Sequence, residues 1–437
     1  MGIFSVRRIA APLVAGLLTV GIPARPGEAA PVVEATPVVW TTAWGASPQM
    51  PSTGFTPNWS QEGFSHQSVR QVVRVTKGGG LVRIRLSNAY GTSPLKITGA
   101  TVARTAQGAA VEPGSVRRLT FGGRASAEVP AHGGLRSDAT ALRPKRLESL
   151  TVTLYLAGTT GPATFHSQGW TDTYRANGDH RADTTGGAYR SRTQSWYYLS
   201  GVEVGGPPPA IPATETGGRT KDSGAEDGIV VFGDSITDGF GSTPNTDRRY
   251  SDVLAELTER PVVNQGIGGN LVLNDSAWFG ERATARFGRD VLDQPGASTV
   301  VILQGVNDIG FSEAAKGPNP PATYKPAPTV SSRRLIAGYR ALIRAAHSKG
   351  LEAVGATLLP LKGSDHWGPH SARVSDEVND WIRHAGEFDA YVDFDRALAD
   401  PTDPDRIDPA YADEDALHPN DAGYRVMAHE VAAVLDH

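Results

Sequence analysis

The sequence predicts an α/β protein in two parts: an antiparallel β-sandwich or jelly-roll-like domain, then a three-layer α/β/α domain with a parallel sheet. Three observations predict it. From 31 to 205, apolar and polar residues alternate with period two. From 228 to 437, short continuous apolar runs alternate with stretches of helical period, as expected for strands buried on both faces of a parallel sheet. Between them, residues 206–227, "GPPPAIPATETGGRTKDSGAED", have no periodicity and read as a linker.

The first element in chain order is not part of the fold. Arg7 and Arg8 precede an apolar run from Ile9 to Ile22, and small residues follow at "GEAAP". Residues 1–30 therefore read as a signal peptide, which predicts a secreted or periplasmic protein; the arginine pair leaves general and twin-arginine export both open. The run is short for a bilayer span, and stable membrane insertion is not expected.

In the β-rich part, "LVRIRLS" sets Val82, Ile84 and Leu86 against Leu81, Arg83 and Arg85. "LTVTLYL" sets Leu150, Val152, Leu154 and Leu156 against Thr151, Thr153 and Tyr155. "VRQVVRV" before Gly78-Gly79-Gly80 reads as a hairpin partner of "LVRIRLS". Trp40, Trp44, Trp170 and Tyr174 are candidates for stacking on sugars, with core packing the plainer role.

In the second part "GIVVFG", "PVVNQGI", "STVVILQG", "LEAVGATLLPL" and "AYVDF" are the strands. The helices start at "YSDVLAEL", run along Leu335, Tyr339, Leu342 and Ala346, then along Val374, Val378 and Ile382, and close with Met427, Val431 and Val434. In such a sheet ligands bind beyond the carboxyl ends of the strands. The bulk numbers narrow the classes further. A net charge of −4 without a basic block excludes a nucleic-acid partner, and the absence of cysteine excludes disulfides, thiol nucleophiles and Cys-ligated zinc.

The chemistry lies at the strand ends. "FGDSITDG" puts Ser235 directly after a buried strand, where a nucleophile is exposed but where an N-cap serine also belongs. A serine needs a base, and "DALHPN" holds Asp415 and His418 three apart. On a tight turn the carboxylate reaches one ring nitrogen while the other faces Ser235. Acyl transfer also needs oxyanion donors. The glycines of "NQGIGGN" allow close backbone approach, and Asn307 in "GVND" offers a side-chain amide. Each stretch alone is more often a cap, a turn or a solvated loop; jointly they occupy successive strand ends with complementary roles.

These four stretches, in this order, resemble the sequence blocks of the SGNH or GDSL-type serine hydrolase superfamily. The resemblance covers about 228–437 and implies a flavodoxin-like sheet, Ser235 as nucleophile, and Asp415 and His418 completing a triad. It also implies an oxyanion hole from the Ser235 N–H, Gly269 and Asn307. The two-part layout is similar to secreted bacterial xylanase-associated esterases. No cofactor or metal is implied. His366 and His370 are four apart, but the intervening "WGP" opposes a metal-binding helix and they read as loop residues lining the cleft. Asp234 and Asp308 read as structural hydrogen-bonding groups.

The expected activity is hydrolysis of carboxylic esters through an acyl-enzyme, with O-acetyl or related esters on carbohydrate, including an acylated polysaccharide, as substrate. An arylesterase or lipase is the alternative. A non-catalytic carbohydrate-binding surface protein would lack one of these residues, and a glycosidase would need a paired carboxylate across the bond. Acyl length and oligomeric state are not legible.

Overall fold

The computed structural model describes residues 38–54, 56–206, 227–317, 322–325 and 327–436. The expected signal peptide 1–30 and nearly all of the expected linker 206–227 lie outside the described residues. The first half runs β1 (Val39–Gly45), β2 (Gln67–Arg74), β3 (Leu81–Ser87), β4 (Gly99–Gln107), β5 (Ser149–Leu156), β6 (Thr173–Asn177) and β7 (Leu199–Gly206), with shorter strands between them. One sheet has the order β1–β7–β3 and the other β6–β2–β5–β4; every pairing is antiparallel. Val82, Ile84, Leu86 and Val202 belong to the same core as Val69, Val73, Val152 and Leu154, so the period-two faces close on each other as a sandwich. Each such buried side chain contributes roughly 1.5–3 kcal/mol.

Two expectations of detail are corrected. "VRQVVRV" and "LVRIRLS" do not form a hairpin: β2 pairs with β5 and β6, and β3 with β7. The connection crosses from one sheet to the other. Its backbone donors are divided accordingly, Val75 N–H going to Glu148 O and Gly80 N–H to Gly205 O. Two strands with the same inward alternation satisfy one core equally well from opposite sheets, so the pattern alone does not choose. Nor does β5 keep a wet face: Thr151 and Thr153 are buried. The cover is anchored by Arg70, itself buried. Its guanidinium donates to Thr153 Oγ1 (3.1 Å), Ala109 O (2.6 Å) and Asp183 O (2.8 Å), and lies 4.1 Å from the Tyr189 ring centre.

The second half runs β8 (Gly228–Gly233), α1 (Ser235–Asp238), α2 (Tyr250–Leu257), β9 (Val262–Gly266), β10 (Ala297–Leu303), α3 (Val306–Ala314), α4 (Ser332–Ser348), β11 (Glu352–Ala356), α5 (Pro369–His384), β12 (Ala390–Val392) and α6 (Asp421–Leu435), with shorter helices between them. The sheet order is β9–β8–β10–β11–β12, all parallel, which is the flavodoxin-like order. Ile229, Val231, Val300, Ile302 and Val354 are inaccessible or nearly so, as continuous apolar runs require. Helix α2 packs with α6, and α5 with α3 and α4.

Each half has its own hydrophobic core, yet both belong to one compact unit. Hydrogen bonds cross the join: Thr42 N–H donates to Pro295 O (3.0 Å), Val262 N–H to Thr76 Oγ1 (3.1 Å) and Ser47 Oγ to Gln265 Oε1 (2.6 Å).

Candidate active site

β8 ends at Gly233, and α1 begins two residues later. Asp234 takes the N-cap, its Oδ1 accepting Ile236 N–H at 3.1 Å. Ser235 is thereby released from capping and occupies the first helical position. Its Oγ lies 2.7 Å from His418 Nε2. Gly233 must lack a side chain, since a Cβ there would sit 1.9 Å from Thr237 Oγ1.

The partner turn folds for local reasons. Ala416 adopts φ +55°, and Asp415 Oδ1 accepts the N–H of Leu417 (2.9 Å) and His418 (3.0 Å). The carboxylate's other oxygen lies 2.6 Å from His418 Nδ1, so the ring is oriented by the turn that carries it. Burial works against the ionised Asp415, but the hydrogen bonds and charge of His418 outweigh it and hold the carboxyl at about 2. Phe240, just beyond α1, packs on the imidazole with ring centres 4.3 Å apart.

Asn307 is in the first turn of α3 and is buried. Its Nδ2 donates to Asn270 O (3.1 Å), and its Oδ1 faces His366 Nε2 (3.2 Å), whose Nδ1 faces Asp365 Oδ1 (2.6 Å). The amide is fixed from both sides. Gly269 has φ +73°, and a Cβ there would lie 2.5 Å from the Phe279 ring, so only glycine fits this loop. Asn270 anchors it, donating to Phe279 O (2.9 Å) and Glu281 O (2.8 Å).

Ser235, Gly269, Asn307, Asp415 and His418 all line one cavity of about 470 Å³. Phe240, Phe279, Phe311, Tyr324 and Leu417 supply apolar walls. His366 lines it too, whereas His370 does not; its Nε2 goes to Val330 O (2.9 Å). A serine hydroxyl within hydrogen-bond reach of an oriented imidazole, beside amide donors, is the geometry acyl transfer requires.

Beneath the cavity lies Arg286, fully buried, which nothing in "ERATARFGRD" marks as special. Its Nε donates to Asn270 Oδ1 (2.9 Å), Nη1 to Gln265 O (2.8 Å) and Nη2 to Gly233 O (2.8 Å). It thus ties together two strand ends and the glycine loop, with Asp290 as counter-charge at 3.1 Å. Asp234 and Asp308 are buried as well. Asp308 accepts the N–H groups of Val272 (2.7 Å) and Leu273 (3.1 Å). Burial pushes both carboxyls up to about 7.

Of the candidate sugar-stacking aromatics, Trp44 packs in the sandwich core against Trp196. Trp40 lies under the Arg83 guanidinium, and Tyr174 joins a small cluster with Ala109, Ala176 and Tyr189. Trp170 sets its edge or face on Phe240, with ring centres 5.7 Å apart. Among the described residues no cluster of three or more His, Asp or Glu side chains forms a metal site, and no helix is long and apolar enough to cross a membrane.

Residues 231–426 match the GDSL-like Lipase/Acylhydrolase family. No curated protein matches the chain. Among solved structures, a GDSL-like lipase from Bacteroides thetaiotaomicron VPI-5482 is 17% identical, covering 47% of this chain and 86% of its own, with a TM-score of 0.36. LAE5, an α/β hydrolase enzyme from the metagenome of Lake Arreo, Spain, is 23% identical (48% and 94% covered, TM-score 0.36). The acetylxylan esterase Axe2 from Geobacillus stearothermophilus is 22% identical (47% and 93%, TM-score 0.36).

Proposed function

We infer that this chain, whose residues 231–426 belong to the GDSL-like lipase/acylhydrolase family and make it a carboxylic ester hydrolase, works through Ser235, His418 and Asp415. Ser235 Oγ attacks the ester carbonyl while His418 Nε2 takes its proton. Asp415 holds the tautomer and stabilises the imidazolium as it forms. The tetrahedral oxyanion is received by the N–H groups of Ser235 and Gly269 and by Asn307 Nδ2. His418 then protonates the departing alcohol, and water attacks the acyl-enzyme with His418 again as base. The observation that carries this reading is the unbroken chain from Ser235 Oγ through His418 to Asp415, at 2.7 and 2.6 Å.

The walls of the cavity direct the choice of substrate. Phe240, Phe279, Phe311 and Tyr324 offer rings and few hydrogen-bonding groups, which suits an aryl or several-carbon acyl ester. O-acetylated carbohydrate is the second reading, favoured by the same rings where they face a sugar. The chain is exported, on the reading of residues 1–30, and meets its ester outside the cytoplasm; the mass of the protein recovered from culture medium or periplasm checks the cleavage.

A serine-directed phosphonate tests the assignment: it should label Ser235, and Ser235→Ala should stay folded and lose roughly 10³-fold or more in kcat. Labelling at another residue, or an active alanine variant, refutes it. Rates on p-nitrophenyl acetate, p-nitrophenyl octanoate and acetylated xylan separate the two substrate readings.

A further inference from the structure

We infer that His166, from the β-rich half, is a positioning residue for the ester-hydrolysing site: through Asp238 it holds the loop that carries Gly269. The inference rests on the roles proposed above for Ser235 and Gly269.

Asp238 closes α1, three residues after Ser235. Both of its oxygens are used. Oδ1 lies 3.0 Å from His166 Nε2, and Oδ2 accepts Gly268 N–H at 3.0 Å. Gly268 is the residue before Gly269, whose positive φ leaves the loop dependent on outside anchors. His166 is itself held on three sides. Its Nδ1 lies 3.0 Å from Ser47 O, its ring stacks on Trp196 with centres 5.5 Å apart, and Nε2 also approaches Gln168 O at 3.3 Å.

The protonation state follows from these partners. Ser47 O can only accept, and so can a carboxylate at Asp238. A ring with an acceptor at each nitrogen needs a proton on each, so His166 is an imidazolium and neutralises Asp238. Burial alone would lower its pKa; the charge and hydrogen bond of Asp238 raise it above the ordinary histidine value. Both side chains are almost inaccessible, at 4% and 1%. Without His166 the carboxylate would keep a buried charge with no partner in contact and only the field of Arg249, itself paired with Asp252, to offset it, and Gly268 would be anchored to a group driven to move or to take up a proton.

The same half reaches the base as well. Trp170 packs on Phe240, which packs on His418, and Asn245 N–H donates to Trp170 O at 2.8 Å. The β-rich half therefore reaches both the oxyanion loop, through His166 and Asp238, and the base, through Trp170 and Phe240.

The test uses the full chain, with kcat and KM measured on p-nitrophenyl acetate, melting followed separately, and Ser235 labelling by the phosphonate in parallel. His166→Ala should lower kcat roughly 10–100-fold, as small misplacements of catalytic groups do, with KM within about twofold. His166→Ala combined with Asp238→Asn should recover several-fold of that loss. The amide oxygen still accepts Gly268 N–H, and no carboxylate is left there without its histidine. A merely structural staple would instead make the two losses add. If His166→Ala does not fold, His166→Gln carries the test, since it keeps a donor toward Asp238 without the charge: a partial fall in kcat at unchanged KM supports the inference. Wild-type kcat in the single variant, or a double variant no faster than His166→Ala, overturns it. An unlabelled wild-type Ser235 would instead overturn the proposed function, so the two failures are distinguishable.

Discussion

Replacing Asp234 by asparagine should make stability less sensitive to pH, and the size of the change can be worked out. Asp234 is buried beside the nucleophile, its Oδ1 accepts Ile236 N–H, and its Oδ2 has no hydrogen-bond partner. Burial raises its carboxyl from 3.8 to about 7. A raised carboxyl means that the folded protein holds a proton the unfolded chain has released, so stability falls as pH rises from about 4 to about 7 and is level above that. At about 1.4 kcal/mol per pH unit, with the slope halving as the pH reaches the folded value, the cost of this residue grows by roughly 2 kcal/mol between pH ~5 and pH ~7. Asparagine keeps the cap through its side-chain oxygen and has nothing to titrate. Its unpaired amide hydrogens cost ~1–3 kcal/mol, but equally at every pH. The difference in unfolding free energy between variant and wild type should therefore widen in the variant's favour by about 2 kcal/mol over that interval. Asp308 titrates in the same range in both proteins and largely cancels. Urea unfolding at a series of pH values is the assay. Parallel stability curves for the two proteins would refute the reasoning.

Asn307→Ala should reduce kcat by roughly 10²–10³-fold on an aryl acetate, the usual cost of one oxyanion donor; a change confined to KM would exclude that role. Arg286→Met should destabilise the fold by about 3–5 kcal/mol, because it removes a charged donor from each of Gly233 O, Gln265 O and Asn270 Oδ1 and leaves Asp290 with Arg289 alone; a melting temperature close to wild type would contradict this. The depressed Asp415 carboxyl contributes stability that is present above about pH 4 and lost only as pH falls through about 2. The acid limb of kcat/KM should therefore not belong to Asp415, and Asp415→Asn should lower kcat by roughly 10³–10⁴-fold without a new titration.

The sequence alone determined the parts that depend on local pattern. Continuous apolar runs such as "GIVVFG" and "STVVILQG" exclude solvent from both faces, which only a covered parallel sheet provides, so the α/β half and its order of elements were legible. Ser235, Asn307, Asp415 and His418 stand out as candidates for a related reason, since each sits at a strand end or turn and their roles complement one another, whereas Gly269 is singled out only by the family resemblance. The tertiary structure decided which strands meet and what lies underneath. Alternation placed the apolar faces of β2 and β3 inward but could not say whether they share a sheet, because both arrangements bury the same side chains. Nor could it mark Arg70 and Arg286 as interior. Arginine is ordinarily exposed, and only a pocket of carbonyl oxygens gathered from distant strands makes its burial tolerable. The tie between His166 and Asp238 is of the same kind: its residues stand 72 positions apart, in parts with different periodicity, and a histidine in "TFHSQGW" acquires its charge only when folding sets an acceptor at each ring nitrogen.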